Sequence, residues 1–314
     1  MKLVKKELII KSAPIKECHA STIVLLGGGD KLCAWFGGEK EGKNDVRIWY
    51  SRQVDGIWSA PTPIPAVLDL PHWNPVLFET AEGEITLFYK VGVSVPQWRT
   101  YFCVTRDGGK TWSSPKELME GEDGGGGRGP VKNKCFVHSS GTLLAPASDE
   151  RGIWRAFIDR FDGEKWEKCP IPVSEEMGRV HMIQPTLWES EDGGLHALMR
   201  TMSSFIYRSD SSDGGKTWCA AYKTDIPNNN SGIDCVKAED GAIYLVCNPI
   251  PPNRIRSPLS ILVSSDGGET FEKSLDLETE MCEFSYPAIV SKGNRLFVTY
   301  TYNRTNIAYA EIEP

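Results

Sequence analysis

The chain has 314 residues, of which 40% are hydrophobic and 10% aromatic, so it can bury a large core and has the composition of a globular protein. Its formal net charge of −7 disfavours nucleic acid and anionic membranes as partners, because these need a basic protein surface. A neutral or anionic small substrate is compatible with this charge if arginines gather in a cleft.

The N-terminal segment and the cysteines predict a cytoplasmic protein. The apolar run Leu8-Ile9-Ile10 is too short for the core of a signal peptide. The nine cysteines are an odd number without a close C-x-x-C pair, so we expect them to be reduced. The five histidines lack the spacing of metal ligands, and neither a metal nor another cofactor is predicted.

A turn motif repeats along the chain. It reads TRDGGKTW at 105–112, SSDGGKTW at 211–218 and SSDGGETF at 264–271, with shorter relatives VDGIW at 54–58 and FDGEKW at 161–166. Glycine adopts positive φ without penalty, and Asp can bind the backbone amides that follow it, so each copy predicts a tight turn. The closing aromatic residues are separated by 54, 54, 52 and 53 residues, and they are Trp58, Trp112, Trp166, Trp218 and Phe271.

Short β-rich segments surround these turns. Segments such as VRIWYSR, TYFCVT and LSILVSS lead into the turns, and segments such as GTLLAPAS, GLHALMRT and AIYLVCNP lie between them. Sustained helical periodicity is absent over any stretch longer than about ten residues. Several strands per unit of roughly 53 residues are typical of propeller blades.

These observations predict an all-β fold, a six-bladed β-propeller in which residues 1–314 form a single domain. Five turn motifs are visible, so the sixth blade should combine both chain ends. We expect KKELIIKS near the N-terminus to pair beside RLFVTYTYN and NIAYAEIE near the C-terminus. This pairing would close the ring and leave no open sheet edge.

The repeated turn resembles the Asp-box of the BNR repeats in the sialidase (neuraminidase) superfamily, and the resemblance covers nearly the whole chain. It implies that the turn aspartates are structural. It also implies an active site built from different blades, with Asp45 as general acid/base and Tyr286 as nucleophile. Arg200 and Arg256 stand where the family has its second and third arginines, and His19 stands in place of the first, 26 residues before Asp45.

Gln184 is a second departure from the family pattern. It lies 16 residues before Arg200, near the place of the glutamate that activates the family's tyrosine. A neutral amide cannot take a proton from Tyr286, so Glu283 or His19 would have to serve as the base if the fold brings either within reach.

The expected substrate is an acidic sugar, because arginine presents fork-shaped donors that bind a carboxylate bidentately. The glycine-rich stretch 121–134 lacks the G-K-[ST] of a phosphate-binding loop and is predicted to line the site. The predicted substrate contacts are Arg200, Arg256, Glu39, Asn74, Arg128, Lys132, Lys134 and Asn230.

Structural interpretations of the same residues stay open. Arg200 and Arg256 are also compatible with surface ion pairs, His19 with a core histidine, and Tyr286 with a packed aromatic residue before Pro287. Asp45 is also compatible with a turn cap, and Gln184 with an ordinary strand residue.

The leading functional hypothesis is an exo-acting glycoside hydrolase of the sialidase type with a carbohydrate substrate. A polysaccharide lyase acting on uronic-acid glycans is an alternative, with Tyr286 or a histidine as the base, the candidates being His19, His72 and His181. A propeller that binds glycans without cleaving them is a third possibility. The sequence gives no indication of an oligomeric state.

Overall fold

Six antiparallel sheets surround one axis and form a six-bladed β-propeller, which confirms the predicted fold. The structure is a computed structural model that describes residues 1–121, 127–175, 178–253 and 255–314. Among these residues, short 3-10 helices span Gly27–Gly29 and Val95–Gln97. Within the described ranges, none of the helices is long and apolar enough to cross a membrane.

The strands follow one another blade by blade. The chain begins with β1 (Lys2–Leu8), which belongs to the last blade. Blade 1 contains β2 (Glu17–Leu25), β3 (Lys31–Gly38), β4 (Arg47–Val54), β5 (Ile57–Trp58) and β6 (Thr62–Pro63). Blade 2 contains β7 (His72–Glu79), β8 (Ile85–Val91), β9 (Arg99–Thr105) and β10 (Lys116–Glu117). Blade 3 contains β11 (Phe136–Val137), β12 (Leu143–Asp149), β13 (Arg155–Phe161) and β14 (Trp166–Pro170).

The second half of the chain repeats this order. Blade 4 contains β15 (Met182–Glu189), β16 (Leu195–Thr201), β17 (Phe205–Ser211) and β18 (Tyr222–Pro227). Blade 5 contains β19 (Asp234–Lys237), β20 (Ile243–Cys247), β21 (Leu259–Ser264) and β22 (Glu272–Glu278). Blade 6 contains β23 (Phe284–Ser291), β24 (Leu296–Tyr302) and β25 (Asn306–Glu313), with β1 as its fourth strand.

The ring closes through the two chain ends, as the sequence predicted. Strand β1 runs antiparallel to β25, with Lys2 opposite Glu313 and Leu8 opposite Ala308. Neither the first nor the last strand of the chain therefore forms a separate sheet, because both belong to blade 6.

The closing aromatic residues of the turns lie between neighbouring blades. The Trp112 ring of blade 2 packs edge-on against Tyr50 of blade 1, with ring centroids 5.7 Å apart. The Trp58 ring of blade 1 packs in the same way against Tyr309 of blade 6, at 5.3 Å. These rings close the turns of successive blades, so the repeat of the blades along the chain accounts for their regular spacing.

Strand direction separates two faces of the propeller. In every blade the first strand begins where the second ends and the third begins, because consecutive strands are antiparallel. We call this face the site face. The turns between third and fourth strands, which carry the Asp-Gly-Gly motifs, lie on the opposite face.

All nine cysteines are unpaired in the structure, and seven of them are buried. Burial raises the pKa of several of these thiols, to about 12 for Cys103. A buried thiol of this kind is inert and packs as a small hydrophobic group. The cytoplasmic location stays a prediction.

Candidate active site

The first strands of four blades share a bulge close to the site face. Their ladders shift register at the same place, in β2, β7, β15 and β23. At each bulge one non-glycine residue has positive φ, namely Ala20 (58°), Asn74 (40°), Gln184 (55°) and Tyr286 (52°). Such backbone strain costs on the order of 1–3 kcal/mol per residue and is typical of functional sites.

Two of these bulge residues meet Arg200 in a hydrogen-bonded cluster. Arg200 Nη1 donates to the Tyr286 hydroxyl at 3.0 Å and to Gln184 Oε1 at 3.2 Å. Arg200 Nε donates to Asn230 Oδ1 at 3.1 Å. Gln184 Nε2 lies 3.5 Å from the Tyr286 hydroxyl. Residues from blades 4 and 6 and from the segment that leads into blade 5 thus converge on one phenol group.

Cationic and aromatic groups surround the Tyr286 ring. The guanidinium carbons of Arg200 and Arg256 each lie 5.6 Å from the ring centroid. The Lys132 ammonium lies 5.9 Å from it, and the His19 ring centroid lies 4.1 Å from it. Cations close to a tyrosine ring are attracted to its electron-rich face, so they also hold the ring in place.

Arg304 joins this cluster, and the sequence analysis missed it. Its Nε donates to Glu283 Oε1 at 2.9 Å, and its Nη1 forms an ion pair with Glu41. Arg256 Nη1 donates to the same Glu283 oxygen at 3.1 Å. Asn303 and Arg304 both have positive φ, at 51° and 56°, in the hairpin turn between β24 and β25. Glycine and asparagine are the usual residues there, so an arginine in this turn was the available signal.

His19 lies inside this positively charged region. Burial lowers its pKa well below the usual range, and the charges of Arg304, Arg256 and Arg200 lower it further. Its Nδ1 lies 2.8 Å from Thr301 Oγ1. His19 is therefore a neutral residue packed against Tyr286.

No base contacts the Tyr286 hydroxyl among the described residues. Glu283 Oε1 accepts hydrogen bonds from Arg256, Arg304 and Ser285, the last at 3.0 Å. The contact of His19 with Tyr286 is ring to ring. The expected role of Glu283 or His19 as the base is not supported by these contacts.

Asp45 lies in the loop 39–46 on the site face, the loop whose Glu41 pairs with Arg304. It is exposed, and its Oδ2 accepts a hydrogen bond from Glu39 N at 2.6 Å within the loop 39–46. Glu39 forms an exposed ion pair with Lys16 at 3.2 Å. Asp45 and Glu39 make these contacts within the loop and with Lys16, and their expected roles stay predictions.

Lys132 and Lys134 tie blades together near the axis. Lys132 Nζ donates to Asn133 Oδ1 at 2.8 Å, to Ile233 O at 2.9 Å and to Pro287 O. Lys134 Nζ lies 2.9 Å from both carboxylate oxygens of Asp234. Their expected role in substrate binding does not fit, because these ammonium groups already bind protein acceptors.

Arg128 anchors the glycine-rich loop. Its Nε and Nη2 donate to the two carboxylate oxygens of buried Asp159 at 2.8 and 2.7 Å. The expected substrate contact of Arg128 does not fit a guanidinium that is paired bidentately in this way. Residues 122–126 of this loop lie outside the described residues.

Asn74 and the histidines complete the predicted set. Asn74 is buried at the bulge of β7, in the position that Gln184 and Tyr286 occupy in their own blades. His72 uses both ring nitrogens for backbone contacts, and burial lowers its pKa to about 4. His181 packs edge-on against Trp154. Within the described ranges, no group of three or more His, Cys, Asp or Glu residues has metal-binding geometry.

A family model described as a BNR repeat-like domain matches residues 29–298. A comparison with curated protein sequences gives no match. A crystal structure of a protein of unknown function from Dyadobacter fermentans DSM 18053 superposes with a TM-score of 0.80 at 18% identity, covering 99% of this chain and 98% of that one.

Two sialidase structures share the same fold. The Hadza microbial sialidase Hz136 has a TM-score of 0.78 at 16% identity, covering 96% of this chain and 66% of that one. The NanB sialidase from Streptococcus pneumoniae has a TM-score of 0.75 at 13% identity, covering 98% of this chain and 70% of that one. Identities this low establish the fold alone.

Proposed function

The chain belongs to the BNR repeat-like domain family, and on that premise we propose that it is an exo-glycoside hydrolase acting on a terminal sialic acid or a related acidic sugar. The sialidase structures with the same fold support this class of reaction. The resemblance of the turns to the Asp-box agrees with it.

The observation that carries the proposal is that Arg200 is buried among neutral hydrogen-bond partners. Its side chain is 5% exposed, and its hydrogen-bond partners Tyr286, Gln184 and Asn230 are all neutral. Among the described residues it forms no salt bridge with a carboxylate. A buried cation that forms no salt bridge is costly, so this guanidinium is suited to an anionic ligand. Arg256, on the same tyrosine ring, supplies a second fork.

Tyr286 is the proposed nucleophile. The anomeric carbon of a sialic acid carries a carboxylate, which would repel a carboxylate nucleophile and favours a phenol. Arg200 Nη1 donates a hydrogen bond to the Tyr286 oxygen at 3.0 Å, so a positive charge lies beside the atom that would attack the sugar.

The test is an activity screen with aryl glycosides of sialic, uronic and neutral sugars. We expect the wild type to release the aryl group from the sialoside or another acidic glycoside. The Tyr286→Phe variant should lose about 1000-fold or more in kcat/KM, because it lacks the nucleophilic oxygen. Tyr222→Phe is the control, since Tyr222 is an exposed residue of the outer strand β18.

Wild-type activity in the Tyr286→Phe variant would contradict the proposal. Cleavage of neutral glycosides in preference to acidic ones would contradict the substrate class. An unsaturated uronate among the products would indicate elimination instead of hydrolysis.

Glycan binding without cleavage is a second candidate, and Gln184 favours it. No base lies within hydrogen-bond distance of the Tyr286 hydroxyl among the described residues, while the arginines that would hold an anionic sugar are present. Calorimetry with sialic acid would then show binding that depends on Arg200, together with unchanged ligand after incubation.

A further inference from the structure

Glu150 follows β12 directly and lies at the site face. Two residues earlier, Ser148 Oγ accepts a hydrogen bond from Gln184 N at 2.8 Å, so this end of blade 3 touches the bulge of blade 4. Successive strand residues point to opposite sides, so Glu150 shares the side of Ser148. The intervening Asp149 carboxylate instead pairs with Arg151 at 3.0 Å.

The Glu150 carboxyl group is partly sealed from solvent. Its Oε1 atom is buried and has no hydrogen-bond partner among the described residues. Most buried polar atoms in proteins are hydrogen-bonded, so an unpaired carboxyl oxygen beside a site is suited to a ligand or a proton. Burial raises the pKa of Glu150 and outweighs the opposing charges of Arg200 and Lys90. A carboxyl group of this kind keeps its proton at a higher pH than an exposed glutamate does.

Asp45 differs from Glu150 in exposure and in its hydrogen bonding. It is exposed, and it binds the Glu39 amide of its own loop. Glu150, in contrast, interacts electrostatically with Arg200, the residue that the proposed substrate would contact. The carboxyl group of a general acid must lie near the bound substrate, and the contact of Ser148 with Gln184 brings this end of blade 3 to the cluster.

We propose that Glu150, rather than Asp45, donates the proton to the leaving group during glycoside cleavage. The proposal rests on the proposed function. As the bond between the anomeric carbon and the glycosidic oxygen breaks, its electron pair stays with that oxygen, which takes the Glu150 proton and leaves as an alcohol. The Tyr286 oxygen, which has given its proton to solvent water before the step and enters it as phenolate, bonds to the anomeric carbon.

The second half of the reaction restores both groups. Water bonds to the anomeric carbon and gives one proton to the Glu150 carboxylate. The bond between the carbon and the Tyr286 oxygen breaks, and its electron pair returns to the phenolate. The sum is hydrolysis of one glycosidic bond, with no further reactant.

The experiment compares two substrates in two variants. The substrates are 4-methylumbelliferyl sialoside, whose leaving group needs little protonation, and sialyllactose, whose leaving group needs a proton. In Glu150→Gln, kcat should fall about 100-fold or more on sialyllactose and less than about fivefold on the aryl sialoside, as expected for loss of a general acid. The control Asp149→Asn should match the wild type on both substrates.

A pH profile gives a second measurement. In the wild type, kcat/KM for sialyllactose should fall toward high pH as Glu150 loses its proton. In Glu150→Gln the profile on the aryl sialoside should lack this decline. Thermal melting of both variants shows that they are folded, since Glu150→Gln keeps the shape of the side chain and should melt within a few degrees of the wild type.

Three outcomes would overturn the assignment. These are an equal loss on both substrates in Glu150→Gln, an unchanged rate on both, or a loss confined to sialyllactose in Asp45→Asn instead. If the wild type cleaves both sialosides and one of these results is found, the assignment of Glu150 fails but the proposed function stands. A wild type that cleaves neither refutes the proposed function and this assignment together.

Discussion

The Asp-Gly-Gly turns and the bulges near the axis both recur around the propeller. The turns repeat their side chains and their backbone, whereas the bulges repeat only their backbone. In the turns the side chains recur together with the backbone. Asp107, Asp213 and Asp266 each accept a hydrogen bond from a threonine hydroxyl four residues later, at 2.6, 2.6 and 2.5 Å. In the bulges the backbone recurs while the side chains are Ala20, Asn74, Gln184 and Tyr286.

The turns are also tied to the preceding blade in a repeated way. Arg52 Nε donates to Gly108 O at 2.7 Å, from blade 1 to the turn of blade 2. Arg208 Nη1 donates to Gly268 O, also at 2.7 Å, from blade 4 to the turn of blade 5. A repeated side chain thus serves assembly of the ring. A repeated backbone that carries a different side chain in each blade allows each position to have its own chemical role. Many folds carry functional sites in this way.

Arg200 gives the sharpest test of this division. The change Arg200→Lys keeps the charge but removes the fork that binds Tyr286 and Gln184. We expect kcat/KM on an acidic aryl glycoside to fall about 100-fold or more, or about 3 kcal/mol, with little change in melting temperature. Steady-state kinetics and thermal melting on the same preparation check this. A large loss of stability with normal activity would contradict it.

Arg208 should show the reverse behaviour. Arg208→Lys removes the guanidinium that binds Gly268 O and Asp210 Oδ1 and lies over the Trp188 ring. We expect the free energy of unfolding to fall by about 1–3 kcal/mol, since hydrogen bonds of a buried charged group are lost. Urea unfolding measures this, and kcat/KM should stay at the wild-type value. A drop in activity without a drop in stability would remove the distinction between the two regions.

The fold could be predicted from the sequence because the turn motif is local. Its aspartate, glycines and closing aromatic residue recur within eight positions, and their spacing sets the number of blades. The pairing of β1 with β25 followed from the need to close the ring. Neither inference needs knowledge of side-chain partners.

The site could be predicted only in part. His19, Gln184, Arg200, Arg256 and Tyr286 lie together as the resemblance implied, and their roles stay predictions. Other polar residues that were predicted to bind substrate instead form hydrogen bonds with residues far away in the sequence. The sequence alone did not show these contacts.

Two examples show why distant partners matter. Lys134 is bound by Asp234, which lies 100 residues later. Arg128 is held by Asp159 through contacts across blade 3. Glu150 was missed because it follows an ordinary strand, where neither a motif nor a spacing marks it, and the signal for Arg304 was its place in a hairpin turn.

Gln184 tests whether a bulge position carries chemistry independently of its backbone. Gln184→Glu introduces a carboxylate at the Oε1 position that Arg200 now contacts at 3.2 Å. The new carboxylate should pair with Arg200 and compete with the substrate carboxylate, so we expect KM to rise several-fold, about 1 kcal/mol, without a rise in kcat. Steady-state kinetics on the acidic aryl glycoside measures both constants. A higher kcat would show that Tyr286 lacks only a base.

Asp213 tests the smallest effect, the contribution of one outer turn. Partial burial raises the pKa of Asp213, but hydrogen bonds from Thr217, Ser211 and the Lys216 amide outweigh this effect and lower the pKa to about 2. An unfolded aspartate titrates near pH 4, at about 3.9. The carboxylate therefore contributes stability that is fully present above pH 4 and is lost as the pH falls toward 2.

We expect Asp213→Asn to lower the free energy of unfolding by about 1 kcal/mol at pH 7, because an amide keeps only part of the hydrogen bonding and is neutral. The difference from the wild type should shrink between pH 4 and pH 3, since protonation weakens the wild-type turn in the same range. Thermal melting from pH 7 to pH 3 measures this. The control Asp225→Asn changes an exposed aspartate of β18 that makes no side-chain hydrogen bond among the described residues, and its curve should follow the wild type. If the Asp213→Asn curve runs parallel to the wild type down to pH 3, the charge of this aspartate contributes nothing to the turn, and the outer turns would depend on their glycines and closing aromatic rings alone.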